Sequence, residues 1–149
     1  MTNFHYPLDA VIKRNEWEID ALKGEMATLN QAMHARMAEL QSLQDAVRAA
    51  EQEIQGICRQ HTIIRRDHKA IVETYLGDRR RQTDLKQQEI ARAQALIDQV
   101  FLQLRSKQQV QRSIKNHREL KQQAFLAEQA RRDSLEADAL WLAKLAAAH

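Results

Sequence analysis

From Leu8 to Tyr75 the chain keeps a four-three spacing of apolar residues, and few folds accept that. With Ile12 as heptad position a, the a series reads Ile12, Ile19, Met26, Met33, Leu40, Val47, Ile54, His61, His68, Tyr75. The d series reads Leu8, Asn15, Leu22, Leu29, Arg36, Leu43, Ala50, Ile57, Ile64, Ile71. Sixteen of these twenty are apolar or aromatic, with no phase shift. A 3.5-residue repeat held this long keeps one narrow stripe toward a partner helix and implies left-handed supercoiling. Such a chain works along a surface or at a tip, because it has no room for a deep pocket.

Composition agrees. Three glycines and one proline leave little punctuation for loops, and aromatics at 5% are too few for a layered core. Ala, Leu, Gln, Glu, Arg and Lys dominate, all strong helix formers. No apolar run of about 18 residues is present to span a membrane. The first twenty residues lack a charged-then-apolar leader pattern, and the single cysteine, Cys58, permits no internal disulfide. A cytoplasmic location is expected. The net charge of +3 is uneven: residues 1–76 hold nine Lys or Arg against eleven Asp or Glu, and residues 77–149 hold fourteen against nine. Opposite signs favour pairing the two halves over self-pairing of either.

The expected fold is all-α, a long two-helix antiparallel coiled-coil hairpin and a single domain over 1–149. Pro7 suits a first helical position, so helix 1 is expected over about 7–76. Gly77 is a natural helix stop. Thr83 or Asp84 can cap the next helix, with Gln87 in capping-box spacing. The turn is therefore expected over about 77–83 and helix 2 over about 84–146. That register sets Ile54 against Leu104, Ile57 against Phe101, Met33 against Phe125 and Leu43 against Ile114. It fits worse where Met26 faces Arg132 and Leu40 faces Arg118. Residues 105–119 carry only Val110 and Ile114 as apolar side chains and should be the least stable stretch.

No residue set argues for catalysis or a cofactor. His61 and His68 are seven residues apart, about 10 Å along a helix, too far to share one metal ion. With Asn15 and Arg36 they read as polar seam residues that fix register. Cys58 has His61 three positions on but no cleft for a substrate. There is no phosphate-cradling glycine loop. The basic residues Arg105, Lys107, Arg112, Lys115, Arg118 and Lys121 wrap around the helix and have no aromatic stacking platform, so they read as a solvated face more than as a nucleic-acid surface.

The candidate docking residues lie at two ends. Trp17 falls at an outer f position, and Leu140, Trp141 and Leu142 lie near the C-terminus. The expected register sets the two tryptophans level, and Trp is enriched at interface hot spots. Tyr75, Leu76, Arg79, Arg80 and Arg81 would form a smaller surface at the opposite tip.

The opening Tyr6-Pro7-Leu8-Asp9-Ala10-Val11-Ile12-Lys13-Arg14 resembles the start of the FliJ/YscO/HrpO family of type III secretion ATPase central-stalk proteins. So do Asn116-His117-Arg118-Glu119-Leu120-Lys121, Phe125-Leu126, Glu128-Gln129-Ala130-Arg131-Arg132-Asp133 and Glu136-Ala137-Asp138 resemble its C-terminal helix. The resemblance implies a non-enzymatic cytoplasmic hairpin, peripheral to the inner-membrane secretion apparatus and similar to the central stalk of rotary ATPases. Its partners would be the hexameric export ATPase at the terminal end, the export gate protein at the tip, and secretion chaperones. A coiled-coil adaptor, possibly homodimeric, and a basic nucleic-acid-associated rod are the competing classes.

Overall fold

A computed structural model describes residues 3–59 and 64–148, and these are all-α. Helix α1 spans Asp9–Cys58 and helix α2 spans Ile64–Ala148. The chain is a two-helix antiparallel coiled-coil hairpin. Pro7 and Leu8 sit in a turn closed by the Asp9 N–H donating to the Tyr6 carbonyl at 3.1 Å, and α1 starts directly after it. Asp9 in that first turn places a carboxylate at the positive end of the helix dipole.

The helix break differs from the expected one. Residues 77–83 are helical, and the two helices are separated between Cys58 and Ile64. Gly77 therefore lies inside α2, exposed, with open space where a Cβ would stand. Glycine costs a helix interior only about 1 kcal/mol, which neighbouring packing overrides. Facing residue numbers share a constant sum in an antiparallel helix pair. Here it is about 125: Arg36 meets Glu89, Glu39 meets Lys86 and Glu18 meets Lys107. The pairings of Met33 with Phe125, Leu43 with Ile114 and Ile54 with Leu104 are replaced accordingly.

The α1 stripe holds up to the break. Ile12, Asn15, Ile19, Met33 and Ala50 are buried, and Met26, Leu29, Arg36, Leu40, Leu43, Val47, Ile54 and Ile57 are half-buried. Beyond the break the phase changes. His68, Ile71 and Tyr75, expected in the seam, face outward, while Val72 and Leu76 are buried. His61 lies outside the described residues. The α2 seam runs Val72, Leu76, Arg79, Thr83, Lys86, Ile90, Ala93, Ile97, Val100, Leu104 in its own four-three steps.

The chain divides into two compact units, residues 22–103 and residues 1–21 with 104–149. Two apolar clusters occupy the first. Met33, Ala93 and Ile97 pack with Met26, Leu29 and Ile90, and Ala50, Val72 and Leu76 pack with Val47, Ile54 and Ile57. Ion pairs flank them: Arg36 with Glu89 at 3.1 Å, and Lys86 with both Glu39 and Glu89. In the second unit Tyr6, Ile12, Ile19 and Leu104 are buried together with two amides, Asn15 and Gln111.

Candidate docking surface

Helix α2 has 85 residues and α1 has 50, so α2 runs on past its partner. The place where it does so is marked by the segment before α1. Tyr6 is buried, and its hydroxyl lies 2.6 Å from His117 Nδ1. Arg118 Nε donates to Asp9 at 2.8 Å and its guanidinium lies 5.6 Å from the Phe4 ring. Phe4 packs on Phe125 with centroids 5.6 Å apart. Past Phe125 and the half-buried Gln129, every residue from Ala130 to Ala148 is exposed.

This overhang stays helical on local terms. Alanines and leucines favour it, and Glu128 accepts from Arg131 Nη2 at 2.7 Å and Arg132 Nε at 3.4 Å. The Arg131 guanidinium holds the Glu128 carboxyl below the usual carboxylate range. Its apolar side chains are uncovered: Leu135, Leu140, Trp141, Leu142 and Leu145 are 40–65% exposed. At 100° per residue, Leu135, Leu142 and Leu145 fall within about 80° of arc, with Trp141 about 40° further round. Leu140, Asp133 and Lys144 lie on the other side. A single helix with one broad apolar face is the form that recognition by a groove requires.

Of the residues expected at the terminal end, Leu140, Trp141 and Leu142 are therefore on the overhang. Trp17 is not level with them. It is 74% exposed on α1, beside Glu18, which binds Lys107. Trp141 lies a further 34 residues along α2 from Lys107, roughly 50 Å at the helical rise. The two tryptophans do not form one surface. The residues expected at the tip are not at a turn either. Tyr75 to Arg81 are within α2: Leu76 is buried in an apolar cluster, Arg80 binds Glu51 at 2.8 Å, and the Arg79 guanidinium lies 4.9 Å from the Tyr75 ring.

Leu135 and Leu145, exposed on the same helix, were not among the expected docking residues. The signal was present in the seven-residue step from Leu135 to Leu142.

Elsewhere the polar candidates are engaged. His68 Nε2 lies 2.8 Å from Glu53 Oε1 on the surface and is not a seam residue. Lys107, Lys115 and Arg118 of the basic cluster bind Glu18, Glu16 and Asp9. The hydrogen bond from Lys107 holds the Glu18 carboxyl below its usual range. Arg36, seen as a register device, reaches Glu89, and Asn15 is buried as the pattern requires. Cys58 is exposed at the end of α1. Among the described residues no group of three His, Cys, Asp or Glu side chains could hold a metal ion, and no helix is long and apolar enough to cross a membrane. No family description, curated protein or solved structure matches this chain.

Proposed function

We propose that this chain is a non-enzymatic coupling stalk of a type III protein export apparatus, in which the α2 overhang engages the hexameric export ATPase. It would act in the cytoplasm, peripheral to the membrane-embedded machinery, with the export gate protein and secretion chaperones as further partners. One observation carries the reading: a two-helix hairpin whose second helix continues alone and presents Trp141, Leu142, Leu135 and Leu145 with nothing over them. The motifs at both ends of the sequence support it.

A helix inserted in a ring touches each subunit differently. A ligand can shift a conformational equilibrium only by its differential affinity for the states, so the overhang would bias which subunit adopts which nucleotide state. Coupling of this kind is reciprocal in binding free energy. The gate-facing contacts move with the helix break: the end carrying Ile54, Ile57 and Cys58, not the Tyr75–Arg81 segment, would be presented to the gate.

The test is binding and ATPase stimulation with purified full-length chain and export ATPase. Trp141→Ala and Leu142→Ala each weaken binding at least tenfold, as expected of hot-spot truncation, while Trp17→Ala has little effect. Unchanged binding and stimulation in both overhang variants would overturn the proposal. Equal loss from Trp17→Ala would move the docking surface off the overhang.

A further inference from the structure

Residues 3–8 precede α1 and are not helical, yet they lie along α2 where α1 has not begun. Two side chains carry the attachment. Tyr6 is 3% exposed, with its hydroxyl 2.6 Å from His117 Nδ1 and its ring 5.7 Å from the His117 ring. Phe4 is half-buried against Phe125, and its ring lies 6.4 Å from that of Tyr6. Asn3, His5, Pro7 and Leu8 are exposed. Among the described residues the backbone hydrogen bonds of this strap run forward into α1 and none reaches α2. Asp9 N–H donates to the Tyr6 carbonyl, and Ile12 N–H donates to the Leu8 carbonyl.

The surface beneath the strap suits exposure as well as cover. The half-buried positions of α2 there are Arg118, Gln122, Phe125 and Gln129, of which Phe125 alone is apolar. The helix continues past them on local bonds, with Glu128 paired to Arg131 and Arg132. Departure of the strap would thus uncover the rings of Phe4, Tyr6 and Phe125 and leave α2 helical. Arg118 marks the other boundary. Its guanidinium lies 5.6 Å from the Phe4 ring, but its Nε also donates to Asp9 at 2.8 Å. That second bond belongs to α1, so it survives when Phe4 leaves and keeps the first turn of α1 on α2. The helix pair behind it is held separately, by buried Ile12, Asn15 and Ile19 and by the pairing of Lys107 with Glu18. The free energy of a local opening follows what it uncovers, and the strap uncovers far less than the helix pair does.

We infer that residues 3–8 form a clasp with two states: closed on α2, and open about Pro7 and Leu8 with the helix pair intact. Opening adds Glu119 to Gln129 to the free part of α2, roughly 16 Å at the helical rise. The clasp therefore sets how much of α2 stands clear of α1. It is a property of the free chain, and its test does not involve the export ATPase. Amide hydrogen exchange on the full-length chain supplies that test. Phe4→Ala removes the ring contact, and Tyr6→Phe removes only the hydroxyl. Exchange at residues 119–126 speeds about tenfold in Phe4→Ala and roughly fivefold in Tyr6→Phe. Residues 104–111 change less than about twofold in both, because the helix pair stays formed. Leu126→Ala, at an exposed position beside Phe125, changes 119–126 less than about twofold. In the unaltered chain under mild denaturant, 119–126 open with a smaller denaturant slope than 104–111, since less surface is uncovered. Equal acceleration of 104–111 in the two strap variants would overturn the inference, by making the strap one cooperative piece with the helix pair. So would unchanged exchange at 119–126 in both, or identical denaturant slopes in the two segments.

Discussion

The unit of residues 22–103 and the unit that joins residues 1–21 to 104–149 each pair two helical segments but fill the seam differently. Among the described residues of the first, the buried residues are all apolar, Met33, Ala50, Val72, Leu76, Ala93, Ile97 and Val100, while the half-buried Arg79 has its Nε covered without a partner. In the second, Asn15 and Gln111 share the interior with Tyr6, Ile12, Ile19 and Leu104. Inter-helix ion pairs from Asp9, Glu16 and Glu18 span that seam. Gln111 shows the difference within one residue. Its Nε2 donates to the Ile12 carbonyl at 2.9 Å, while its Oε1 is buried without a partner. Apolar layers supply stability in proportion to area, whereas polar layers fix alignment at some cost in stability. The lesson is that one unit rests on apolar layers, and the other sets where α1 starts along α2 and hence where the overhang begins.

The largest expected effect comes from placing a charge in the apolar unit. Ala50→Asp buries an unpaired carboxylate among Val72, Leu76 and Val47 and should cost about 3 kcal/mol or more in chemical denaturation. If the loss were no greater than for a surface substitution, the apolar unit would not be the stability-bearing one. Next, Gln111→Leu removes the unpartnered oxygen from the polar unit. Stability should rise by about 1 kcal/mol, with slower amide exchange confined to residues 1–21 and 104–125; a fall would mean that the bond to Ile12 outweighs the stranded oxygen.

A smaller gain is expected from Gly77→Ala, about 0.5–1 kcal/mol, because the added Cβ meets nothing within 4 Å in a helical position. A turn at Gly77 would make the same substitution destabilising, so its sign reports directly on where the helices break. The smallest effect is with pH. Glu18 and Glu89 have their carboxyls held down by Lys107 and Lys86 respectively. A depressed folded value means the contribution is full above the ordinary 4.5 and is lost as pH falls through the lower folded value. Protection from exchange should therefore weaken in acid in both units, but further in the polar unit, which has fewer apolar layers behind its ion pairs. Glu18→Gln should shrink that acid response. At the other extreme, the carboxylates of Glu39 and Glu89 raise the Lys86 ammonium above 10.5, so its contribution is lost only as pH rises through that higher value.

Much of α1 was legible because its stripe is set by one long helix. Every a and d position from Ile12 to Ile57 is buried or half-buried. The break was not legible. Residues 59–63, Arg-Gln-His-Thr-Ile, contain neither glycine nor proline, and Ile64 and Ile71 continue the old spacing by coincidence. Gly77 carried the local signal of a stop, and packing of Leu76 against Ala50 overrode it. Once the break was misplaced by some 18 residues, the register and the level of Trp17 followed. The outward position of Trp141 needed no register, because nothing in the seam phase calls for it.

The ion pairs from Glu128 to Arg131 and Arg132 bear on the thermodynamics of any encounter. They support helix in the overhang where α2 leaves α1, so a partner would meet a segment already coiled. Ordering entropy, which segments that fold on binding surrender at contact, is largely absent from the balance. Calorimetry of the encounter should then show a heat-capacity change that reflects only the apolar area covered, without the additional decrement that marks coupled folding.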